Sequence, residues 1–245
     1  MGQQRSYRSA LVTGATSGIG AAFADALPPE TALLLTGRRE ARLREAAARH
    51  AKPGRAVDSI AADLATVPGR EAVIARAEAA QVDLFICNAG AGLYGPFLRH
   101  DAAAELESVE LNVIACVHLV HALLPGMLAR ARTGGRRAGL VVVSSRAALG
   151  PSRNLATYAA GKAFQLRFTQ ALARELEQEP VDVLALCPGA TDTEFFGNAG
   201  APAPKRRKAS PAAVAREALA ALGRRTTLFG GKRLHPVVLA ERLLR

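Results

Sequence analysis

The chain has no tryptophan, two methionines and three cysteines among 245 residues, and only 4% of it is aromatic. Three cysteines cannot build a disulfide scaffold. Cys87, Cys116 and Cys187 each lie inside an apolar run, with no CxxC pair and no His/Cys cluster at metal spacing. Buried free thiols and no metal site are therefore expected. Acidic residues are also scarce, 21 against 32 basic ones, which leaves a net charge of +11. That excess favours an anionic partner. With so few rings and no concentrated basic patch, nucleic acid is not expected, which leaves a membrane surface or a phosphorylated small molecule. No uninterrupted run matches a membrane span, since the most apolar stretch, Val113 to Leu128, is short and contains His118, His121 and Pro125. The N-terminus lacks the apolar core of a secretory leader, so a cytoplasmic protein is expected. Hydrophobic residues at 49% and charged residues at 22% exclude a disordered chain. The length suits a single domain, 1–245.

What is present alternates between strand and helix. Apolar β-type runs occur at Ser9–Thr13, Thr31–Thr36, Arg55–Ala61, Val82–Cys87, Gly139–Ser144, Val181–Cys187 and Thr226–Phe229. Helical patterns lie between them: a first to Leu27, then Arg39–His50, Val67–Ala80, Asp101–Arg132 with interruptions, Thr157–Glu179 and Pro211–Leu222. Strands apolar throughout and separated by helices imply an α/β fold, a doubly wound (Rossmann-like) parallel sheet of about seven strands with helices on both faces. Ligands in such sheets bind beyond the carboxyl ends of the strands. The irregular stretch Gly197–Ser210, with the basic run Lys205–Lys208, is the expected lid, within 190–210.

The first strand runs into Thr13-Gly14-Ala15-Thr16-Ser17-Gly18-Ile19-Gly20. Glycines at these spacings permit a tight turn, close approach of backbone N–H groups to a pyrophosphate and close helix–strand packing. A plain strand–helix turn is the alternative, but the strand before and helix after favour a dinucleotide. At the end of the second strand, Gly37-Arg38-Arg39 stands where an NAD-binding fold usually carries an acid. Cations at a helix start oppose its dipole, so Arg38 and Arg39 point to a compensating anion, the 2′-phosphate of NADP(H).

Tyr158 and Lys162 share a helix face, and Ser145 precedes Tyr158 at the end of a strand. With these residues the chain resembles a short-chain dehydrogenase/reductase of the compact, single-domain kind, from about Arg8 to Phe229. The family's motifs follow in order: the TGxxxGxG turn, Asp63-Leu64 beside the adenine, and Cys87-Asn88-Ala89-Gly90 with Cys in place of the first Asn. Then come Asn112, Ser145, Tyr158, Lys162, Pro188-Gly189 and Thr193. The resemblance implies an NADP-dependent oxidoreductase that interconverts a carbonyl and a secondary alcohol. It also implies a homodimer or homotetramer joined through Ser108–Arg132 and Thr157–Glu179. Lys162 would bind the nicotinamide ribose, Asn112 would hold a water beside it, and Thr193 would hold the carboxamide. A non-catalytic dinucleotide-binding regulator or redox sensor is the alternative, but such proteins often lose the Tyr or the Lys.

The side chains carry the chemistry. Tyr158 would be the general acid in reduction and the base in oxidation, with Ser145 bonding the substrate oxygen. A phenol with a pKa of about 10 needs about 4 kcal/mol to fall by about three units. An ammonium about 4 Å away supplies that at an effective dielectric near 20, and Lys162 is the expected source. Leu93, Tyr94, Phe97, Leu149, Pro151, Leu155, Phe195 and Phe196 are expected to wall an apolar substrate pocket. Arg146, Arg153 and Lys205–Lys208 are either ligands for an anionic substrate tail or solvated cations. His118 and His121 are read as helix-surface or interface residues.

Overall fold

The computed structural model describes residues 6–202 and 208–230. Lys205, Arg206, Arg207 and the basic tail Arg233–Arg245 lie outside the described residues. Seven strands form one parallel sheet: β1 Ser9–Thr13, β2 Ala32–Gly37, β3 Val57–Ala61, β4 Leu84–Cys87, β5 Ala138–Val143, β6 Val181–Cys187 and β7 Thr227–Phe229. Their order is β3-β2-β1-β4-β5-β6-β7, and every adjacent pair is parallel. Strand order reverses between β1 and β4, which opens a crevice beyond their carboxyl ends.

The sheet is buried on both faces because its strands are apolar at successive positions. In β5 and β6, Val141, Val143, Leu184 and Leu186 join one core, with helices α1 (Gly18–Ala26), α2 (Glu40–His50) and α8 (Pro211–Ala221). The alternate residues Leu140, Val142, Val181 and Val183 join the other, with α3 (Val67–Ala79), α5 (Ala115–Gly134) and α6 (Ala156–Glu175). Period-two alternation sends neighbouring side chains to opposite cores. Helix starts follow their caps: Thr66 Oγ1 accepts from Gly69 N at 3.1 Å and Ser210 Oγ from Ala213 N at 3.1 Å. Pro68 and Pro211 stand in the first turns, where no backbone donor is needed.

The expected helix over Asp101–Arg132 runs without a break. Helix α4 (Ala102–Val109) passes through a π-turn, Glu110–Ile114, directly into α5. Counted through that turn, Ala102–Gly134 is, by length and composition alone, long and apolar enough to cross a membrane. In the fold, Leu119, Leu123 and Met127 of this helix pack in the core against β4 and β5. A short helix, α7 (Phe195–Asn198), was not expected in the lid segment.

Candidate active site

The crevice begins at Thr13. Its Oγ1 donates to the Ile86 carbonyl at 3.3 Å and accepts from the amides of Asn88 at 2.9 Å and Ala89 at 3.0 Å. Asn88 Nδ2 in turn donates to the carbonyls of Thr13 at 2.9 Å and Gly14 at 3.3 Å. The ends of β1 and β4 are thus locked side by side. Gly14 and Gly18 sit at φ +65° and +58°, in the left-handed region. A Cβ on Gly20 would collide with the Gly14 carbonyl oxygen and stand 2.5 Å from Asn88 Nδ2. Ser17 begins α1 without a side-chain cap, so the first-turn amides of α1 stay free toward the crevice. These features fit a dinucleotide pyrophosphate.

The adenosine end is formed by Asp63 and Leu64 after β3 and by Arg38 and Arg39 after β2, all lining one cavity of about 1220 Å³. Arg38 Nη1 pairs with Glu107 at 2.8 Å, and Arg39 Nη2 pairs with Glu194 at 3.1 Å. The Asp63-Leu64 loop is held from behind by Arg70, a buried arginine of α3. Its Nη1 donates to the carbonyls of Leu64 at 3.1 Å and Ala65 at 3.0 Å and to Glu110 at 3.2 Å. Its Nε donates to His118 Nδ1 at 3.2 Å. His118 is therefore a half-buried acceptor for Arg70, which corrects its surface reading; His121 is exposed. Nothing local in the sequence marks Arg70, because an arginine in a charged helix reads as solvated.

At the other end lie Ser145, Tyr158 and Lys162. Ser145 Oγ accepts from Ala147 N at 3.1 Å, and its hydroxyl acts to lower the pKa of the Tyr158 phenol. The Tyr158 ring rests on Gly92, where a Cβ would come within 2.6 Å of it, and 4.8 Å from the Phe195 ring. Burial pushes the Tyr158 phenol up to about 12, with Ser145 opposing. Lys162 is buried; its Nζ donates to the Val143 carbonyl and to Gln165 Oε1, both at 2.9 Å. Burial brings its ammonium down to about 8. The expectation that Lys162 depresses the Tyr158 pKa is not met in the protein alone. Nζ lies 5.8 Å from the ring centroid and is turned toward the two carbonyl acceptors, so burial of the phenol prevails.

Asn112 occupies the π-turn. Its Nδ2 donates to the carbonyls of Ala91 at 2.6 Å and Ser108 at 2.8 Å. Its buried Oδ1 has no partner among the described residues. A Cβ on Gly90 would stand 2.7 Å from that oxygen and 2.9 Å from Lys162 Nζ, so Asn112 and Lys162 flank the same glycine. The π-turn adds one residue to the helical circuit and faces Asn112 inward.

Every sequence-predicted cofactor residue lines the cavity except Gly20, which lies beneath the turn. Asn112 stands behind Gly90 rather than on the wall. Of the expected apolar walls, Leu155, Phe195 and Phe196 line it, whereas Leu93, Tyr94, Phe97, Leu149 and Pro151 do not. Arg146 lines it and Arg153 does not. Lys208 pairs with Asp192 at 3.0 Å. The described part of the expected lid, a strap over 190–202 and 208–210, lines the cavity through Thr193, Glu194, Phe195 and Phe196. Its ends join through Asp192 N to the Ala209 carbonyl and Ala209 N to the Ala190 carbonyl, both at 2.9 Å. Thr193 sits on Gly18, where a Cβ would be 2.9 Å from its Cγ2. Gln165, Gly92 and Glu194 were missed; only Gln165 has a local signal, three residues after Lys162 on one helix face.

A family profile for short chain dehydrogenases matches residues 8–203. The chain belongs to the short-chain dehydrogenase/reductase family. An uncharacterized oxidoreductase of Staphylococcus saprophyticus is 30% identical over 220 residues, 87% of this chain and 90% of that one. A short-chain dehydrogenase of Sphingobium yanoikuyae in complex with NADPH superposes with a TM-score of 0.84 at 30% identity, covering 96% of this chain and 92% of that one. L-sorbose reductase of Gluconobacter frateurii, complexed with NADPH and L-sorbose, gives 0.80 at 28% identity, covering 96% and 100%. The protein is thus an oxidoreductase of this family with a nicotinamide dinucleotide as its cofactor.

Proposed function

We propose that the protein is an NADP(H)-dependent oxidoreductase interconverting a carbonyl and a secondary alcohol, with Tyr158 as general acid and base. The observation that carries the reading is the buried pair of Tyr158 and Lys162, beside Ser145 on the wall of a cavity that also holds the glycine cradle. When bound, the nicotinamide supplies or receives the hydride. Ser145 and Tyr158 would both donate to the substrate oxygen, stabilising charge as it develops there. Held up to about 12, the phenol keeps its proton at neutral pH and can deliver it in reduction. Lys162, anchored on Val143 and Gln165, would donate to the nicotinamide ribose, and Asn112 would hold a water beside it. Asp63 and Leu64 would contact the adenine, Asn88, Ala89 and Gly90 the ribose side, and Pro188, Gly189 and Thr193 the nicotinamide. The phosphate-binding role belongs to Gly14, Thr16, Ser17, Gly18 and Ile19. Retention of Tyr158 and Lys162 in one buried cluster favours turnover over a regulator or redox sensor.

The preference for NADP(H) rests on Arg38 and Arg39, two guanidinium groups on the adenosine wall with no acid beside them on β2. Relatives of known structure with NADPH support it. NADPH is expected to bind at least about tenfold tighter than NADH, the order of one charge-assisted hydrogen bond, and Arg38→Ala to erase much of that difference. Calorimetry or the fluorescence of the reduced nicotinamide measures both. NADH binding as tightly as NADPH would overturn the cofactor assignment.

Leu155, Phe195 and Phe196 suit a substrate with an apolar body. Among the described residues, Arg146, next to Ser145 in sequence, is the one cation of the expected set that lines the cavity, and its guanidinium has no acidic partner there. It would hold an anionic substituent on the substrate. Arg146→Ala should raise KM for ketones bearing a carboxylate, phosphate or sulfonate about tenfold or more and leave neutral ketones unchanged. An equal effect on both classes would remove the role. A homodimer or tetramer fits the exposed Leu106, Ile114 and Phe164 on the α4–α5 and α6 surfaces, and a cytoplasmic location fits three free buried thiols.

A further inference from the structure

The arginines of the adenosine wall do not stand alone. Arg39 Nη2 is 3.1 Å from Glu194 Oε2, and 3.4 and 3.5 Å from the hydroxyls of Thr16 and Ser17 in the glycine turn. Arg42, one turn further along α2, holds the other oxygen, Glu194 Oε1, at 2.6 Å. Glu194 lies on the strap, directly after Thr193 and just before α7. It is separated from both arginines by more than 150 residues in sequence, by 155 and 152.

We propose that Glu194 is an internal competitor for the 2′-phosphate of NADP(H): it occupies Arg39 and Arg42, weakens NADP(H) binding selectively, and so limits the discrimination against NAD(H). The inference rests on the reading that Arg38 and Arg39 receive that phosphate. The guanidinium fork is a fixed set of donors that serves one anion at a time through a given edge. In Arg39 the nitrogen facing the glycine turn is the nitrogen that Glu194 takes. A phosphate on the adenosine ribose needs the same N–H groups and, as a dianion, repels the carboxylate. A ribose with a free 2′-hydroxyl makes no such demand and leaves the Glu194 pairs intact. The three side chains are between 42% and 44% exposed, so each pair is weak enough for a phosphate to displace. Both arginines hold the Glu194 carboxyl below the usual carboxylate range, so it stays charged at neutral pH.

The test is calorimetric titration of the wild type and Glu194→Gln with NADPH and NADH, and with the fragments 2′,5′-ADP and 5′-AMP. The fragments lack the nicotinamide and so bypass the Thr193 end of the strap. Glu194→Gln should tighten NADPH and 2′,5′-ADP about three- to tenfold and change NADH and 5′-AMP by less than about twofold, the range spanned by displacing two exposed pairs. The gain should shrink as salt is added. Equal weakening of all four ligands would make Glu194 an anchor of the strap and overturn the proposal. So would an unchanged NADPH-to-NADH ratio. If the wild type prefers NADPH and the variant leaves the ratio unaltered, only the role of Glu194 fails. If neither protein distinguishes the two cofactors, the reading of the arginines fails with it.

Discussion

Tyr158→Phe is expected to lower kcat for carbonyl reduction about a thousandfold, within the range for loss of a general acid. NADPH affinity should fall by no more than about tenfold, because at most one hydrogen bond from a single hydroxyl is lost. The substitution keeps the ring that packs on Gly92 and Phe195 and removes the oxygen alone. Steady-state kinetics with a ketone panel and separate NADPH titration give the two numbers. A variant retaining a tenth of the activity would exclude Tyr158 as the proton donor, and loss of NADPH binding would make its role structural. The pH profile carries the sign. With the phenol held up near 12, the proton donor is present across the neutral range, so reduction should not gain from higher pH. Oxidation needs the phenolate and should rise roughly tenfold per pH unit from pH 7. Lys162, brought down to about 8 by burial, loses its charge above that pH, so its hold on the cofactor should weaken there while the rate at saturating cofactor keeps rising toward the pKa of the phenol. An oxidation rate independent of pH between 6 and 9 would contradict this balance.

Gly20→Ala should be the most damaging single-methyl change in the glycine turn. The added Cβ would collide with the Gly14 carbonyl oxygen and crowd Asn88 Nδ2. Neither neighbour can yield: the Gly14 and Thr13 carbonyls are bonded to Asn88, and Asn88 and Ala89 amides are bonded to Thr13. Overpacking of this kind costs about 1–3 kcal/mol, and for a chain of this length that lowers Tm by roughly 3–10 °C. Displacing the turn also misplaces the first-turn amides of α1, so NADPH affinity should fall at least about tenfold. Gly197→Ala is the control, since a Cβ there meets nothing within 4 Å. Thermal unfolding with and without NADPH reads both effects. A Gly20→Ala protein as stable as Gly197→Ala and with native NADPH affinity would remove close packing as the reason for this glycine.

Much of the site was legible because the family's motifs are local. Tyr158 and Lys162 are one helical turn apart, and the glycine turn is continuous, so their spacing states their geometry. The strand ends that carry Asp63, Asn88, Ser145 and Pro188 were placed by the alternation of apolar runs. What escaped was long-range or orientational. Leu93 and Phe97 were expected on the substrate wall because they follow the NAG motif, yet the chain there turns outward into a surface 3₁₀ turn that leaves Phe97 55% exposed. Arg70 and Glu194 carry no local mark, because their partners come from distant elements.

Period-two and period-3.6 patterns, the glycine spacing and the ordered polar residues determined the sheet, its seven strands and the residues that meet at its carboxyl edge. These are properties of short segments, and local sterics and burial dictate them. Only the tertiary structure decided the electrostatics. It set which way Lys162 Nζ turns and that burial outweighs it at Tyr158. It also set which acids face Arg38 and Arg39, and that the π-turn faces Asn112 toward Gly90. The reason is that charge interactions depend on distance and on burial together, and both are fixed by contacts between residues far apart in the chain.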